Sequence, residues 1–244
     1  MTLAVIFPVV GPGFAGKGAA RPFSKIDGRE VFLRTVELYT SRDRVQQRIV
    51  VVTPDDLQEM QERYSAHLGF QGVTVTAGGS DWFSCVGRAL EKLDEKMETV
   101  MVHDACCPAV PYTLLDALEE TLGRLKTVGG VVPVLPTRNA FADLEGDRTV
   151  AEYVDMAKVS EVQSPQIYRR KVLVDAYAKR GEGVFVDDGE LVRNAGHTVG
   201  TIAGSRFNMR MDSDDMVRLG KDLLSHLPRA KGRTPLMPFG EAEW

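Results

Sequence analysis

A chain of 244 residues is long enough for one large domain or two small ones, and 43% hydrophobic with 26% charged residues is ordinary globular composition. A formal net charge of −4 gives no overall pull on nucleic acid or anionic membranes, so any anion site must be local. No apolar run approaches the roughly 18 residues of a membrane span, and Met1–Val10 lacks the basic and small-residue features of a signal peptide. The expected compartment is the cytoplasm. Cys85, Cys106 and Cys107 form no disulfide framework, and no Cys/His spacing suggests zinc.

In chain order, Leu3–Val10, Arg48–Thr53, Val73–Ala77, Val100–His103 and Gly130–Leu135 are short valine-rich runs that predict strands buried on both faces. Helical patterns alternate with them. Phe32, Leu33, Val36 and Tyr39 share a face, as do Leu57, Met60, Tyr64 and Leu68; Trp82, Val86, Ala89 and Leu93 give a third, and Leu114, Leu118, Leu122 and Leu125 a fourth. This alternation predicts a parallel sheet with helices on both sides. The pattern breaks at 137–161, where a turn at Glu145–Asp147 between short apolar segments predicts a projecting hairpin. Helices follow at Arg170–Lys179 and Asp187–Asn194, the latter stopped by Gly196. Late strands are expected at Val199–Ile202 and Phe207–Met211, then a last helix, Asp214–Leu227, capped by Ser213. A single domain, 1–228, is expected, with 229–244 as a loosely held tail.

The stretch GPGFAGKG, Gly11–Gly18, follows the first strand and fits several phosphate-binding patterns in part. A P-loop would carry a hydroxyl where Gly18 stands. A dinucleotide fingerprint would open a helix within the motif, whereas Pro22 and Gly28 delay the helix to about Arg29. What remains is a flexible loop of about 18 residues, Gly11–Gly28, carrying Lys17, Arg21 and Lys25. It is either a polyphosphate cradle or a surface loop with solvated charges.

Val102–Val110, VHDACCPAV, puts His103 and Asp104 at a strand end, where open α/β sheets place ligand chemistry. An aspartate there either holds magnesium against a triphosphate or caps the following turn. These motifs do not stand alone. Over roughly residues 3 to 227 the chain resembles the 2-C-methyl-D-erythritol 4-phosphate cytidylyltransferases of isoprenoid synthesis. The family's opening glycine motif corresponds to Val9-Val10-Gly11-Pro12-Gly13-Phe14-Ala15-Gly16, then Ala20-Arg21-Pro22. Its G-G-A-x-R-x-D-S-V reads Gly78-Gly79-Ser80-Asp81-Trp82-Phe83-Ser84-Cys85-Val86, and its V-H-D-A-A-R-P reads Val102 to Pro108. V-P-V-x-D-T falls on Val132–Thr137, V-D-R on Val154-Asp155-Met156, and x-T-P-Q on Gln163-Ser164-Pro165-Gln166. F-T-D-D falls on Phe185–Asp188 and N-I-K on Asn208-Met209-Arg210.

The resemblance implies a three-layer α/β nucleotidyltransferase fold, Rossmann-like, with a mixed sheet and the 137–161 β-hairpin arm serving a homodimer. It implies CTP, Mg2+ and a small phosphorylated acceptor. By motif, Val9, Val10, Gly11, Gly13, Gly79, Ser80 and Cys85 would contact the nucleotide; Arg21, Lys17 and Arg210 would act on its phosphates. Asp104 would hold the metal, and Thr137, Lys158 and Ser164 would meet the acceptor. Against that pattern, arginines give way to Ala15, Trp82, Cys107 and Met156. Losing two charge-assisted partners from an acceptor phosphate removes several kcal/mol of binding. Two functions follow: a magnesium-dependent cytidylyltransferase, including one with a different acceptor or nucleotide, or a catalytically impaired relative acting as a nucleotide-binding or dimeric interaction module. Bland roles are expected for neighbouring residues: His103 structural, Cys106-Cys107 filling a turn, Trp82 and Phe83 packing a helix, and Asp187-Asp188 capping one.

Overall fold

The computed structural model describes residues 1–10, 21–146 and 148–227. The predicted Gly11, Gly13 and Lys17 contacts, the turn residue Asp147 and the 229–244 tail lie outside the described residues, as does the side chain of Arg21.

Strand β1 (Leu3–Val9) is buried along its whole length. A small hairpin, β2 (Lys25–Ile26) and β3 (Arg29–Glu30), leads into α1 (Val31–Glu37). Then come β4 (Val45–Val52), α2 (Leu57–Phe70), β5 (Val73–Ala77), α3 (Trp82–Leu90), β6 (Thr99–Val102), α4 (Tyr112–Arg124) and β7 (Gly130–Pro136). The arm is β8 (Ala142–Glu145) with β9 (Thr149–Tyr153). β10 (Ser160–Val162), β11 (Gln166–Arg169), α5 (Arg170–Ala178), α6 (Asp188–Asn194), β12 (Val199–Ala203) and α7 (Asp214–His226) complete the chain.

The central sheet has eight strands, running β5-β4-β1-β6-β11-β7-β12, with β10 against the far end of β7. Alternate side chains of β1 point to opposite faces, and each face finds its own helices. Leu3, Val5, Phe7 and Val9 pack with Phe32, Met60, Leu115 and Leu118 of α1, α2 and α4. Ala4 and Ile6 pack with Val86, Ala89, Leu173 and Leu191 of α3, α5 and α6. Full burial of each large aliphatic side chain contributes about 1.5–3 kcal/mol, so both faces supply stability and neither can be opened cheaply.

The sheet is mixed, as the resemblance implies: the strands of the alternating β/α pattern are parallel, while β11 runs antiparallel between β6 and β7 and β10 runs antiparallel to β7. Two expectations need correction. The loop after β1 does not extend unstructured to Gly28: Lys25–Glu30 closes a hairpin across Asp27 and Gly28, both at positive φ. Phe207–Met211 is no strand. Its backbone groups pair instead with a glutamine side chain and with the carbonyl of Cys106. The caps are as expected: Ser213 accepts from Met216, Asp187 accepts from Glu190, and Gly196 leaves α6 at φ 94°. No helix among the described residues is long and apolar enough to cross a membrane.

Candidate active site

After β1 the chain moves outward to β4 and β5 on one side, then returns to lay β6 against the other side of β1. The carboxyl ends of β1 and β6 therefore flank a topological switch point, where the connections diverge and leave a crevice. His103 extends β6 by one hydrogen bond to Ile6, and Asp104 is the first residue beyond it.

His103 is wholly buried and structural. Nε2 faces the Cys107 carbonyl at 3.0 Å, which can only accept, so Nε2 carries the proton and Nδ1 accepts from the Tyr39 hydroxyl at 2.7 Å. Burial drives its pKa down to about 3, against the pull of the Cys107 carbonyl, so the ring is neutral at physiological pH. Cys106 and Cys107 are free, buried thiols that burial pushes up, which makes them inert fillers of the turn. One side of Cys107 nevertheless borders the cavity described below.

Asp104 is held from three directions. Its amide donates to Ser164 Oγ at 2.8 Å, its Oδ1 accepts from the Cys106 amide at 2.8 Å, and its Oδ2 accepts from Arg210 Nε at 2.5 Å. Burial works against the Arg210 guanidinium, but the adjacent Asp104 carboxylate more than offsets it and holds its pKa above the ordinary value. The structure thus brings Asp104, Ser164 and Arg210 together from three distant parts of the chain. They line a cavity of about 940 Å³ together with the apolar Val132, Val134 and Val199 and with Trp82, Asp188 and Arg193.

The other expected site residues sit around this centre. Val9 is buried at the end of β1 and Val10 is half-buried beside it. Half-buried Gly79 and exposed Ser80 lie between β5 and α3. A Cβ on Gly79 would overlap the Ser84 side chain, so the turn requires glycine there. Cys85 is fully buried, and its thiol donates to the Gly79 carbonyl at 3.2 Å, supporting the turn. Thr137 is half-buried just beyond β7 and borders no part of the cavity. Lys158 is 83% exposed, paired with Asp155 at 3.1 Å, and is likewise not in the cavity wall of its own chain.

For several residues the structure adds contacts that the sequence did not indicate. Trp82 packs its helix as expected, but its Nε1 also donates to Asp188 Oδ2 at 2.9 Å, and Tyr177 donates to the other oxygen. Asp187 does cap α6 and also accepts from Gln166 Nε2. Asp188 is instead a buried carboxyl that, among the described residues, hydrogen-bonds no cationic side chain. Burial raises its pKa to about 6, although the Tyr177 and Trp82 hydrogen bonds pull the other way.

A magnesium ion fits this donor set in one manner only. Among the described residues no group of three or more His, Cys, Asp or Glu side chains could cage a metal. The Asp104 carboxylate has about four acceptor sites; the Cys106 amide and Arg210 occupy one on each oxygen, and the side chain stays 14% exposed. One carboxylate plus ligand phosphate oxygens is a normal magnesium environment.

A profile of the 2-C-methyl-D-erythritol 4-phosphate cytidylyltransferase family matches residues 3–223. The chain is 34% identical over 224 residues to the 2-C-methyl-D-erythritol 4-phosphate cytidylyltransferase of Frankia casuarinae, covering 91% of this chain and 81% of that one. It is 32% identical to the bifunctional enzyme IspD/IspF of Nitrobacter hamburgensis, covering 88% of this chain and 53% of the longer protein. The crystal structure of the 2-C-methyl-D-erythritol 4-phosphate cytidylyltransferase from Thermus thermophilus superposes with a TM-score of 0.75 at 25% identity, over 92% of this chain and 100% of that one.

The Asp188 environment sets a pH dependence. Its folded pKa of about 6 lies above the ordinary carboxyl value of 3.8, so the native state binds the proton more tightly than the unfolded chain. This residue's contribution therefore becomes more favourable as pH falls from about 6 towards 4. Asp188→Asn is expected to be stabilising relative to wild type at pH 8, with that advantage shrinking by pH 4.5. Thermal denaturation across that range checks it; an advantage independent of pH would contradict the assignment.

Proposed function

The chain belongs to the 2-C-methyl-D-erythritol 4-phosphate cytidylyltransferase family, and from that premise we propose that it transfers CMP from CTP to 2-C-methyl-D-erythritol 4-phosphate and releases pyrophosphate. The observation that carries the reading is the Asp104–Arg210 pair, held at a sheet switch point on the edge of a cavity. A phosphate oxygen of the acceptor attacks the α-phosphorus. The bond from that phosphorus to the oxygen bridging it to the β-phosphate breaks, and pyrophosphate leaves with the electron pair. Such transfer asks the protein for positioning and charge neutralisation rather than covalent chemistry.

In this reading Arg210 meets the triphosphate, with Lys17 and Arg21 supplied by the segment after β1. Val9, Val10, Gly11 and Gly13 lie along the nucleotide. Gly79 and Ser80 face the cytosine. Ser164, whose Oγ only accepts from Asp104 and so keeps its own proton to donate, meets the acceptor; Thr137 approaches from the end of β7. Asp104 would hold a magnesium ion, whose charge would lower repulsion between phosphate oxygens. We assign the chain to the cytoplasm, whose reducing conditions suit three free thiols.

The arm supports a homodimer. Leu144, Val150 and Tyr153 of β8 and β9 are each at least half exposed, so a two-stranded hairpin presents apolar side chains with no core of its own to cover them. Leu144→Glu with Tyr153→Glu is expected to convert a dimer to a monomer in analytical ultracentrifugation. A wild-type protein that sediments as a monomer would contradict this.

A second reading is favoured by one feature. The buried Cys107 thiol borders the cavity beside Asp104, where the resemblance sets an arginine. A wall with fewer cations suits another phosphorylated acceptor, or CTP binding without transfer. Pyrophosphate release measured over a panel of phosphorylated polyols separates these, with CTP affinity measured by calorimetry. The main reading expects release with 2-C-methyl-D-erythritol 4-phosphate, and at least a ~100-fold loss of metal-dependent rate in Asp104→Asn with the fold retained. An unchanged rate in that variant removes Asp104 from the chemistry, and no CTP binding by the wild type defeats the nucleotide claim.

A further inference from the structure

The segment from Gly204 to Met211 carries Arg210 to the site, yet it belongs to no helix or strand. Its shape must therefore be imposed by groups outside the sheet ladder. One side chain does most of this. Gln163 is 5% exposed, and its own amide is fixed to the Pro133 carbonyl of β7 at 2.9 Å. Its Oε1 accepts from the Ser205 amide at 2.9 Å, and its Nε2 donates to the carbonyls of Ser205 at 3.0 Å and Asn208 at 3.1 Å. Both Nε2 protons are thus committed to the segment's backbone. A Cβ at Gly204 would overlap Gln163 Oε1, so glycine at 204 is what lets the carboxamide come so close.

These contacts bracket Arg210. The Asn208 carbonyl is held on one side, and on the other the Met211 amide donates to the Cys106 carbonyl at 2.8 Å. The bracket also closes on itself. The Asn208 side chain donates to the Ser164 carbonyl, Ser164 Oγ accepts from the Asp104 amide, and Asp104 accepts from Arg210. A displacement of the Gln163 carboxamide would therefore move Arg210 relative to Asp104.

We propose that Gln163 is a positioning residue: its carboxamide folds the 204–211 segment into the shape that lays Arg210 against Asp104 and, in the nucleotide complex, against the triphosphate. The last clause rests on the role given to Arg210 above. Gln163 is uncharged, so its effect on an anion must pass through what it positions.

The test is a double-mutant cycle on the full chain, with CTP affinity in the presence of magnesium measured by calorimetry and melting temperature recorded for every variant. Gln163→Glu keeps the side-chain volume and the acceptor for Ser205 but turns the second group into an oxygen facing two carbonyls. Gln163→Leu removes all the polar contacts. Each is expected to weaken CTP binding about tenfold, the scale of one lost charge-assisted contact. Combined with Arg210→Ala, either should be no worse than Arg210→Ala alone. Unchanged affinity in a folded Gln163→Glu protein, or losses that add to that of Arg210→Ala, would overturn the proposal while leaving the role of Arg210 intact. Unchanged affinity in Arg210→Ala would instead refute that role, and the proposal with it.

Discussion

Asp104 stands on the first residue past a buried strand, and a carboxylate in that position has to be partnered or hydrated. Here the partners arrive from far along the chain: the Cys106 amide from the next turn, Ser164 ahead of β11, and Arg210 ahead of α7. The ion pair therefore depends on the sheet being assembled in its particular order. If β11 did not insert between β6 and β7, Ser164 would have no route to Asp104. The antiparallel strand that interrupts the parallel set is in this sense part of the site.

Two carboxylates in the cavity wall differ in how their charge is treated. Asp104 and the Arg210 guanidinium neutralise each other while remaining open to a ligand. Asp188 is buried and, among the described residues, has only an indole N–H and a phenol as side-chain hydrogen-bond partners. Neutral donors stabilise an anion less than a cation does, so burial dominates and the proton is held more tightly. The same residue type thus has opposite electrostatic settings within one cavity, and only the first suits polyphosphate chemistry.

Much of this was legible in the sequence because burial on both faces leaves continuous valine-rich runs, and helical faces repeat at fixed spacing. The runs that became β1, β4, β5, β6 and β7 stand out on that basis. β11 did not, since Gln166–Arg169 holds only two apolar residues, too few to stand out as a strand. Phe207–Met211 misled for the converse reason: alternation resembling a strand, but with backbone groups taken by Gln163 before any neighbouring strand could use them. Motif order located Asp104, Ser164 and Arg210, because each stands in a run of recognisable residues. Gln163 and Asp188 lie within motifs, but their roles were not legible, because Gln163 pairs with backbone groups of a distant segment and Trp82 lies about a hundred residues from Asp188.

The proposed chemistry requires Asp104 and Arg210 to receive the triphosphate of CTP together. A crystal structure of the protein with CTP and magnesium tests this most directly. The phosphates are expected between the Asp104 carboxylate and the Arg210 guanidinium, with the cytosine against the Gly79–Ser80 turn. Phosphates bound elsewhere, with Asp104 and Arg210 still joined only to each other, would contradict it.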